Sequence, residues 1–272
     1  MQFRTDVRRR LRADDARVVS DVLRRGIDRG EHTGALHEDT LSVEFGVSRN
    51  VVRDALTILA GEGLIDRSPR VGTHVVRRRA VHGLDALRGL KETLSEHGDV
   101  WNEVRVATLV RPPAAVAAQL RLETGDDAVY IERTRYLGDE PLSLDLTYLV
   151  PDLGIPLLEY DIESTDVFAL LEFVSGRRLH SAEQTVEAAV ADPHSAAVLG
   201  VAPGSAVLLL ERLTCIGPQA RPVDLEYIRM RGDRISLRTR SFRDPQNECS
   251  RTPESSDIES SSPELQPIGD LQ

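Results

Sequence analysis

The stretch Leu41–Ile65, LSVEFGVSRNVVRDALTILAGEGLI, decides how the chain is read. Gly46 stands between two short helical patterns, where a left-handed turn residue is needed, and Ser48 follows as a natural N-cap for the second helix. Two helices joined by so short a turn read as a helix-turn-helix. In the second helix Val51, Val52, Ala55, Ile58 and Leu59 recur at helical spacing and predict a buried stripe, which leaves Arg49, Asn50, Arg53 and Thr57 on the opposite face. That face suits DNA. Arginine can take guanine bidentately, asparagine can take adenine, and a helix entering the major groove by its N-terminal end presents such residues to base edges. A core helix with a solvated basic face would carry the same residues, so the sequence beyond it decides.

Gly61 and Gly63 stop the helix, and LIDRS and GTHVV then read as two short strands around a basic turn, Arg67 to Gly72. A hairpin here is a wing. The run VSRNVVRDALTILAGEGLIDRSPRVGTHV resembles the winged helix-turn-helix of the GntR family of bacterial transcription regulators, over about residues 10 to 78. The resemblance implies DNA contacts from Ser48, Arg49, Asn50, Arg53 and Thr57 on the helix and from Arg70, Gly72, Thr73 and His74 in the wing. Two departures matter. Where the family carries P-S-E-R, whose arginine touches DNA, this chain has Leu36-His37-Glu38-Asp39, and Asp39 would repel phosphate. The family's wing reads G-x-G-T, whereas Arg70 replaces its first glycine and leaves Gly72-Thr73, so operator sequence does not transfer from relatives.

A chain of 272 residues, 40% apolar and 29% charged, can bury a core and is expected to hold two domains. Its net charge of −10 divides unevenly: residues 1–80 hold 16 Arg against 12 acids, a net of +4, and residues 81–272 hold 18 basic residues against 32 acids, a net of −14. The positive charge lies with the helix-turn-helix, as an N-terminal DNA module beside an acidic domain requires. Cys215 and Cys249 make neither a disulfide framework nor a ligand cluster, and no apolar run reaches the length of a membrane helix. The basic N-terminus leads into no signal-type apolar segment, so a soluble cytoplasmic protein is expected. Residues 1–12 read as a basic arm, frayed or grazing phosphates, and residues 13–78 as the DNA-binding domain. Its first helix is expected over Asp15 to Arg29, with Val18, Val19, Val22, Leu23 and Ile27 on one face and Gly30 as its stop. Residues 79–98 lack a sustained apolar period and read as a linker, in which Leu84, Leu87, Leu90 and Leu94 suit a short docking helix.

The second domain, residues 99–243, is an internal repeat. LRLETGDDAVYIERTRYLGDEPLSLDLTY from Leu120 lines up with LGVAPGSAVLLLERLTCIGPQARPVDLEY from Leu199, matching Glu132-Arg133 with Glu211-Arg212 and Asp145 with Glu226. Each copy reads as helix, strand, turn, strand. Helices open at Pro112-Pro113 and Asp192-Pro193, and strands precede them at 100–110 and 178–190. Two β-α-β-β halves joined by a helix from Ser164 to Val174 predict an α+β fold: one antiparallel sheet of about six strands with helices on one face. IERTRYLGDEPLSLDLTYL and the closing EYIRMRGDRISLR resemble the UTRA domain, the ligand-sensing half of the HutC-like branch of the GntR family, over about residues 98 to 240. The resemblance implies a chorismate-lyase-like fold that binds a small metabolite and controls the attached DNA-binding domain.

Alternation along Val129–Leu137 puts Arg133 and Arg135 on one face among aliphatic side chains, where a covered pair of guanidiniums needs an anion. A carboxylate or phosphate effector would supply it. Arg133 and Arg135 match the paired arginines of ligand-binding UTRA domains, and Asp145 and Glu226 match family carboxylates that contact polar groups of the ligand. Internal pairing of Arg133 with Asp145 and of Arg212 with Glu226 is the competing arrangement. Ser164-Thr165 would open the joining helix, whose free N–H groups favour an anion, which makes Thr165 a further candidate. The seven histidines are scattered without metal spacing, no G-x-S-x-G is present, and no cofactor or enzymatic activity is expected. Residues 244–272, rich in Ser, Glu and Pro, read as a disordered acidic tail. The reading is a homodimeric transcription repressor that binds operator DNA under control of a small anionic effector. A ligand-independent repressor with a scaffold domain and a DNA-tethered enzyme of lyase-like fold are the alternatives.

Overall fold

The computed structural model describes residues 2–69, 71–76 and 79–241. The first helix, α1, spans Gln2–Arg29, so the stretch read as an arm is helical and continuous with the helix expected from Asp15. Neither glycine nor proline interrupts the chain before Gly26, and the arginines there are good helix formers. Its buried face is Ala16, Val19, Ser20, Leu23 and Ile27, whereas Val18 and Val22, expected inside, are 61% and 53% exposed. Spacings of three and four residues select one set of positions, and Val18 and Val22 fall a helical step away from it.

Helix α2 (Glu38–Glu44) is followed by Gly46 at φ +63°, and α3 spans Arg49–Gly61. Ser48 caps α3, its side chain accepting from the Val51 N–H at 3.4 Å. The buried stripe is Val51, Val52, Ala55, Leu56 and Leu59, so Leu56 takes the place expected for Ile58. Burial on two sides explains the wider face. Val51 and Ala55 meet Ala16 and Val19 of α1, while Val52, Leu56 and Leu59 share a second cluster with Leu23, Ile27, Leu41 and Leu64. The wing is the antiparallel pair β1 (Ile65–Ser68) and β2 (Gly72–Val75). Ala35 bridges His74 on its other side, and the Leu36 N–H donates to the Thr73 carbonyl at 2.8 Å, which holds the wing to the body.

Beyond the wing come β3 (Ala80–Gly83), α4 (Leu90–Leu94), β4 (Val100–Val110), α5 (Ala114–Gln119), β5 (Ala128–Leu137) and β6 (Glu140–Leu149). They are followed by α6 (Pro151–Leu157), α7 (Val167–Ser175), β7 (Leu179–Val190), α8 (Pro193–Leu199), β8 (Ala206–Ile216), β9 (Arg221–Arg231) and β10 (Ile235–Arg238). Six strands form one antiparallel sheet in the order β4-β5-β6-β9-β8-β7, so the closing strands of the two repeats meet at its centre. The repeat is exact in the ladder: Arg133 stands opposite Asp145, and Arg212 opposite Glu226.

Three features differ from the sequence expectation. Helices lie on both faces of the sheet rather than one: α8 packs Ala196 and Leu199 on Leu144 and Val207, while α7 sets Phe168 against Arg212 on the opposite face. Strand alternation marks two faces but does not say which of them is covered. Helix α7 starts at Val167 with Asp166 as its cap, accepting from the Phe168 N–H, so Ser164 and Thr165 precede the helix instead of opening it. The expected linker belongs to the sheet domain. β3 pairs in parallel with β10, and Ala80, Leu90 and Leu94 join Ile235 in a core with Leu210, Ile228 and Met230. A four-residue strand and a five-residue helix are too short to show a period. The acidic tail lies outside the described residues.

Candidate functional site

Two surfaces gather the residues singled out by the sequence. On α3, Ser48, Arg49, Asn50, Arg53 and Thr57 are all exposed along one face. Glu38 and Asp39, in the first turn of α2, reach this face. Arg49 Nε lies 2.6 Å from Asp39 Oδ1, and Arg53 Nε lies 2.7 Å from Glu38 Oε2. Arg67 of β1, which sequence reasoning placed only in a basic turn, closes the joint between helix and wing: it lies 3.4 Å from Glu38 and donates to Thr57 Oγ1 at 2.9 Å. The Thr57 hydroxyl also donates to the Arg53 carbonyl, so it is taken up inside this joint. In the wing Gly72 adopts φ +92°, a conformation that favours glycine, and the His74 ring turns back to the Val71 carbonyl. Thr73 is half-buried, and Arg70 lies outside the described residues.

The second surface is a buried charge cluster on the sheet face beneath α7. Arg133, Arg135, Asp145, Arg212, Asp224 and Glu226 are each no more than 3% exposed. The pairing is not the one the repeat suggests. Asp145 lies 2.7 Å from Arg135 but 3.9 Å from Arg133, because Arg135 has Thr214 as its counterpart and only the first half carries two guanidiniums. In the second half Arg212 Nε meets Glu226 at 2.7 Å, as the competing arrangement required. Phe168 covers Arg212, its ring centroid 4.4 Å from Cζ. Arg133 Nη1 donates to the Ile162 carbonyl at 3.3 Å. Arg133 Nε and Arg135 Nε and Nη1 have no hydrogen-bond partner among the described residues.

Burial, then the neighbouring Arg135, pulls the Arg133 guanidinium below its ordinary range, with Asp145 and Glu226 opposing. Burial also works against the Asp145 carboxylate, but Arg135, Arg133 and the Ser143 hydroxyl outweigh it and hold the group below the usual range. Asp224 goes the other way. Burial, then the adjacent charge of Glu226, drives it well above the carboxylate range, and neither of its oxygens closes a hydrogen bond of ordinary geometry, even with the neighbouring Thr214. The guanidiniums of Arg133, Arg135 and Arg212 thus share the site with Asp145, Glu226 and, from the cap of α7, Asp166, whose charge also acts on Arg133 and Arg212. Sequence reasoning passed over Asp224 because the repeat drew attention to Glu226, although strand alternation puts both on one face.

Lys91, α4 and the loop before α7 border the cluster. Lys91 Nζ donates to the Ser164 carbonyl, Asn102 Nδ2 donates to the Glu163 carbonyl at 2.8 Å, and the half-buried Thr165 donates its N–H to the Asp161 carbonyl. A Cβ at Gly89 would lie 1.9 Å from Asp166 Oδ2, so only glycine lets α4 start this close to α7. His82 of β3 is 1% exposed, with Nδ1 2.7 Å from Thr93 Oγ1. Burial, then the charges of Arg212 and Arg135, lowers it to about 4. Among the described residues, no group of three or more His, Cys, Asp or Glu side chains is placed to hold a metal.

The UTRA domain family matches residues 96–236, and the family described as bacterial regulatory proteins, gntR family, matches residues 16–75. The HTH-type transcriptional regulator Rv0792c of Mycobacterium tuberculosis is 30% identical over 197 residues, covering 71% of this chain and 71% of that protein. The mannosyl-D-glycerate transport/metabolism system repressor MngR of Escherichia coli is 28% identical over 174 residues, covering 62% of this chain and 72% of the repressor. The crystal structure of PhnF from Mycobacterium smegmatis aligns with a TM-score of 0.62 at 21% identity, over 83% of this chain and all of that one, a likeness of fold.

Proposed function

Since the chain belongs to the GntR family of DNA-binding transcription regulators and carries a UTRA domain, we propose that it is a homodimeric repressor whose operator affinity is set by a small anionic effector bound at Arg133 and Arg135. Its matched relatives are transcription regulators rather than enzymes. The observation that carries the anionic reading is the unmet donors: two buried guanidiniums share Asp145, and among the described residues three of their N–H-bearing nitrogens have no hydrogen-bond partner. Buried guanidinium N–H groups without acceptors are costly, so an incoming carboxylate or phosphate gains charge-assisted hydrogen bonds. In this reading Glu226 stays with Arg212, and Thr165 lines the loop above the site. Such a ligand fits a protein working beside chromosomal DNA in the cytoplasm.

Coupling runs through the segment between wing and sheet. Arg79 meets Asp28 of α1 at 2.8 Å, both mostly buried, and β3 then enters the sensing domain with His82 facing Arg212 and Arg135. An effector shifts DNA affinity only by its differential affinity for two arrangements, typically about 1–3 kcal/mol. On DNA we assign Arg49, Asn50 and Arg53 to base edges, with Ser48 and the wing residues Gly72, Thr73 and His74 at the backbone. The test begins with a melting screen of phosphorylated sugars and small carboxylates, since a specific ligand stabilises by mass action. Arg133→Ala and Arg135→Ala should each bind operator like the parent without effector and lose the response to the stabilising compound. Full response in both variants would remove the anionic site and leave the domain a scaffold.

A further inference from the structure

Asp39 and Arg49 form the closest ion pair on the face assigned to DNA, and the arrangement is odd for a surface that must attract phosphate. The Asp39 carboxylate is 66% exposed and the Arg49 guanidinium 64%, and among the described residues neither has another ion-pair partner. Glu38 is different. It is 24% exposed and is shared by Arg53 and Arg67, which makes it a brace between recognition helix and wing. Asp39 does not reach the wing: its partner stands at the first position of α3, where a major-groove helix meets DNA first.

We propose that Asp39 restrains non-specific DNA binding by keeping the Arg49 guanidinium occupied. In an encounter with arbitrary sequence, Arg49 stays on the carboxylate and neutralises no phosphate, so one counterion fewer is released. At the operator, the fitted base contacts of Arg53 and Asn50 bring Arg49 close enough to a base or phosphate for it to leave Asp39. Because both partners are solvated, the exchange is small and reversible. Asp39 thereby raises the ratio of operator to non-specific affinity, which is the quantity that matters against a genome of competing sites. This inference rests on the assignment of α3 to DNA.

The measurement is the salt dependence of full-length protein binding to a short scrambled duplex and to a duplex recovered by selection from a randomised library. Asp39→Asn should tighten binding to the scrambled duplex about two- to fivefold, the span of an exposed ion pair. Its salt slope should steepen by about one unit, while selected-duplex affinity changes less. In an Arg49→Ala background, Asp39→Asn should change neither quantity, and Asp39→Glu should keep the parent's slope. An equal gain in both backgrounds would mean that Asp39 acts by its own charge on DNA, and weaker binding would make it an orienting residue for Arg49. Either result overturns the proposal, as does an unchanged slope. Arg53→Ala separates the two levels. If it weakens selected-duplex binding while Asp39→Asn is inert, the restraint falls and the assignment of α3 stands. If Arg53→Ala is inert as well, both fall.

Discussion

Arginine meets carboxylate in two regions of this protein, under opposite conditions. On α3, the helix proposed to meet DNA, Arg49 and Arg53 are 64% and 57% exposed, whereas Arg133, Arg135 and Arg212 in the sheet domain have side chains no more than 4% exposed. In water the same pair is worth little and is readily exchanged for a phosphate. Inside the sheet, desolvation makes a broken pair expensive, and charge must be balanced by something that stays. The first region is therefore suited to contacts that form and break, as the proposed DNA encounters require, and the second to holding unmet guanidinium donors that the proposed ligand would fill.

The sharpest way to break this comparison is Asp145→Asn, which leaves Arg133 and Arg135 without their shared carboxylate. The unfolding free energy should fall by about 3–5 kcal/mol, read by denaturant titration. A loss below about 1 kcal/mol would put the cluster in the same solvated class as the DNA face.

A pH titration probes the buried side from another direction. His82 is neutral in the fold down to about pH 4, with Arg212 and Arg135 opposing its charge and Asp166 weakly favouring it, whereas an unfolded imidazole takes its proton near 6.5. The unfolded chain thus binds more protons between these values. Stability conferred by His82 is complete above about pH 7, falls as pH is lowered through this window and levels off below about 4. Relative to His82→Asn, the parent should lose about 3 kcal/mol across it. A constant difference between parent and variant would show that His82 is solvated in the fold.

The smallest effect is expected at the exposed pairs. Glu38→Gln should shift unfolding by less than about 1 kcal/mol, even though Glu38 touches both Arg53 and Arg67. A larger loss would mark helix and wing as a stability element rather than an adjustable surface, and the contrast between the two regions would narrow.

Most of the element order is legible in the sequence. Gly46 and Ser48 mark the turn before α3 and its cap, and the repeat from Leu120 and Leu199 foretells an antiparallel sheet of about six strands, while the meeting of β6 and β9 at its centre came only with the fold. These are local signals, set by turn conformation, capping and period, and they survive folding unchanged. Faces were harder. Val18 and Val22 lie beside the buried positions of α1, and Leu56 is buried because α3 packs on two sides, which no single-helix pattern can report. The segment 79–98 looked like a joint because its strand is too short to show a period, and only its parallel partner β10, some 150 residues later, makes it part of the sheet domain.

The sequence by itself determined that Arg133 and Arg135 share one face of a strand and that Arg49 and Arg53 share one face of a helix, since alternation and helical pitch follow from backbone geometry alone. Which carboxylate each arginine meets was decided only by the tertiary structure. Asp145 goes to Arg135 in preference to Arg133, burial beside Glu226 pushes the Asp224 carboxyl well above the usual range, and Asp39 turns to Arg49 where the starts of α2 and α3 converge. Charge pairing depends on distances of a few ångströms between segments far apart in the chain, and on the burial that sets the strength of each pair, and neither quantity exists until the chain has packed.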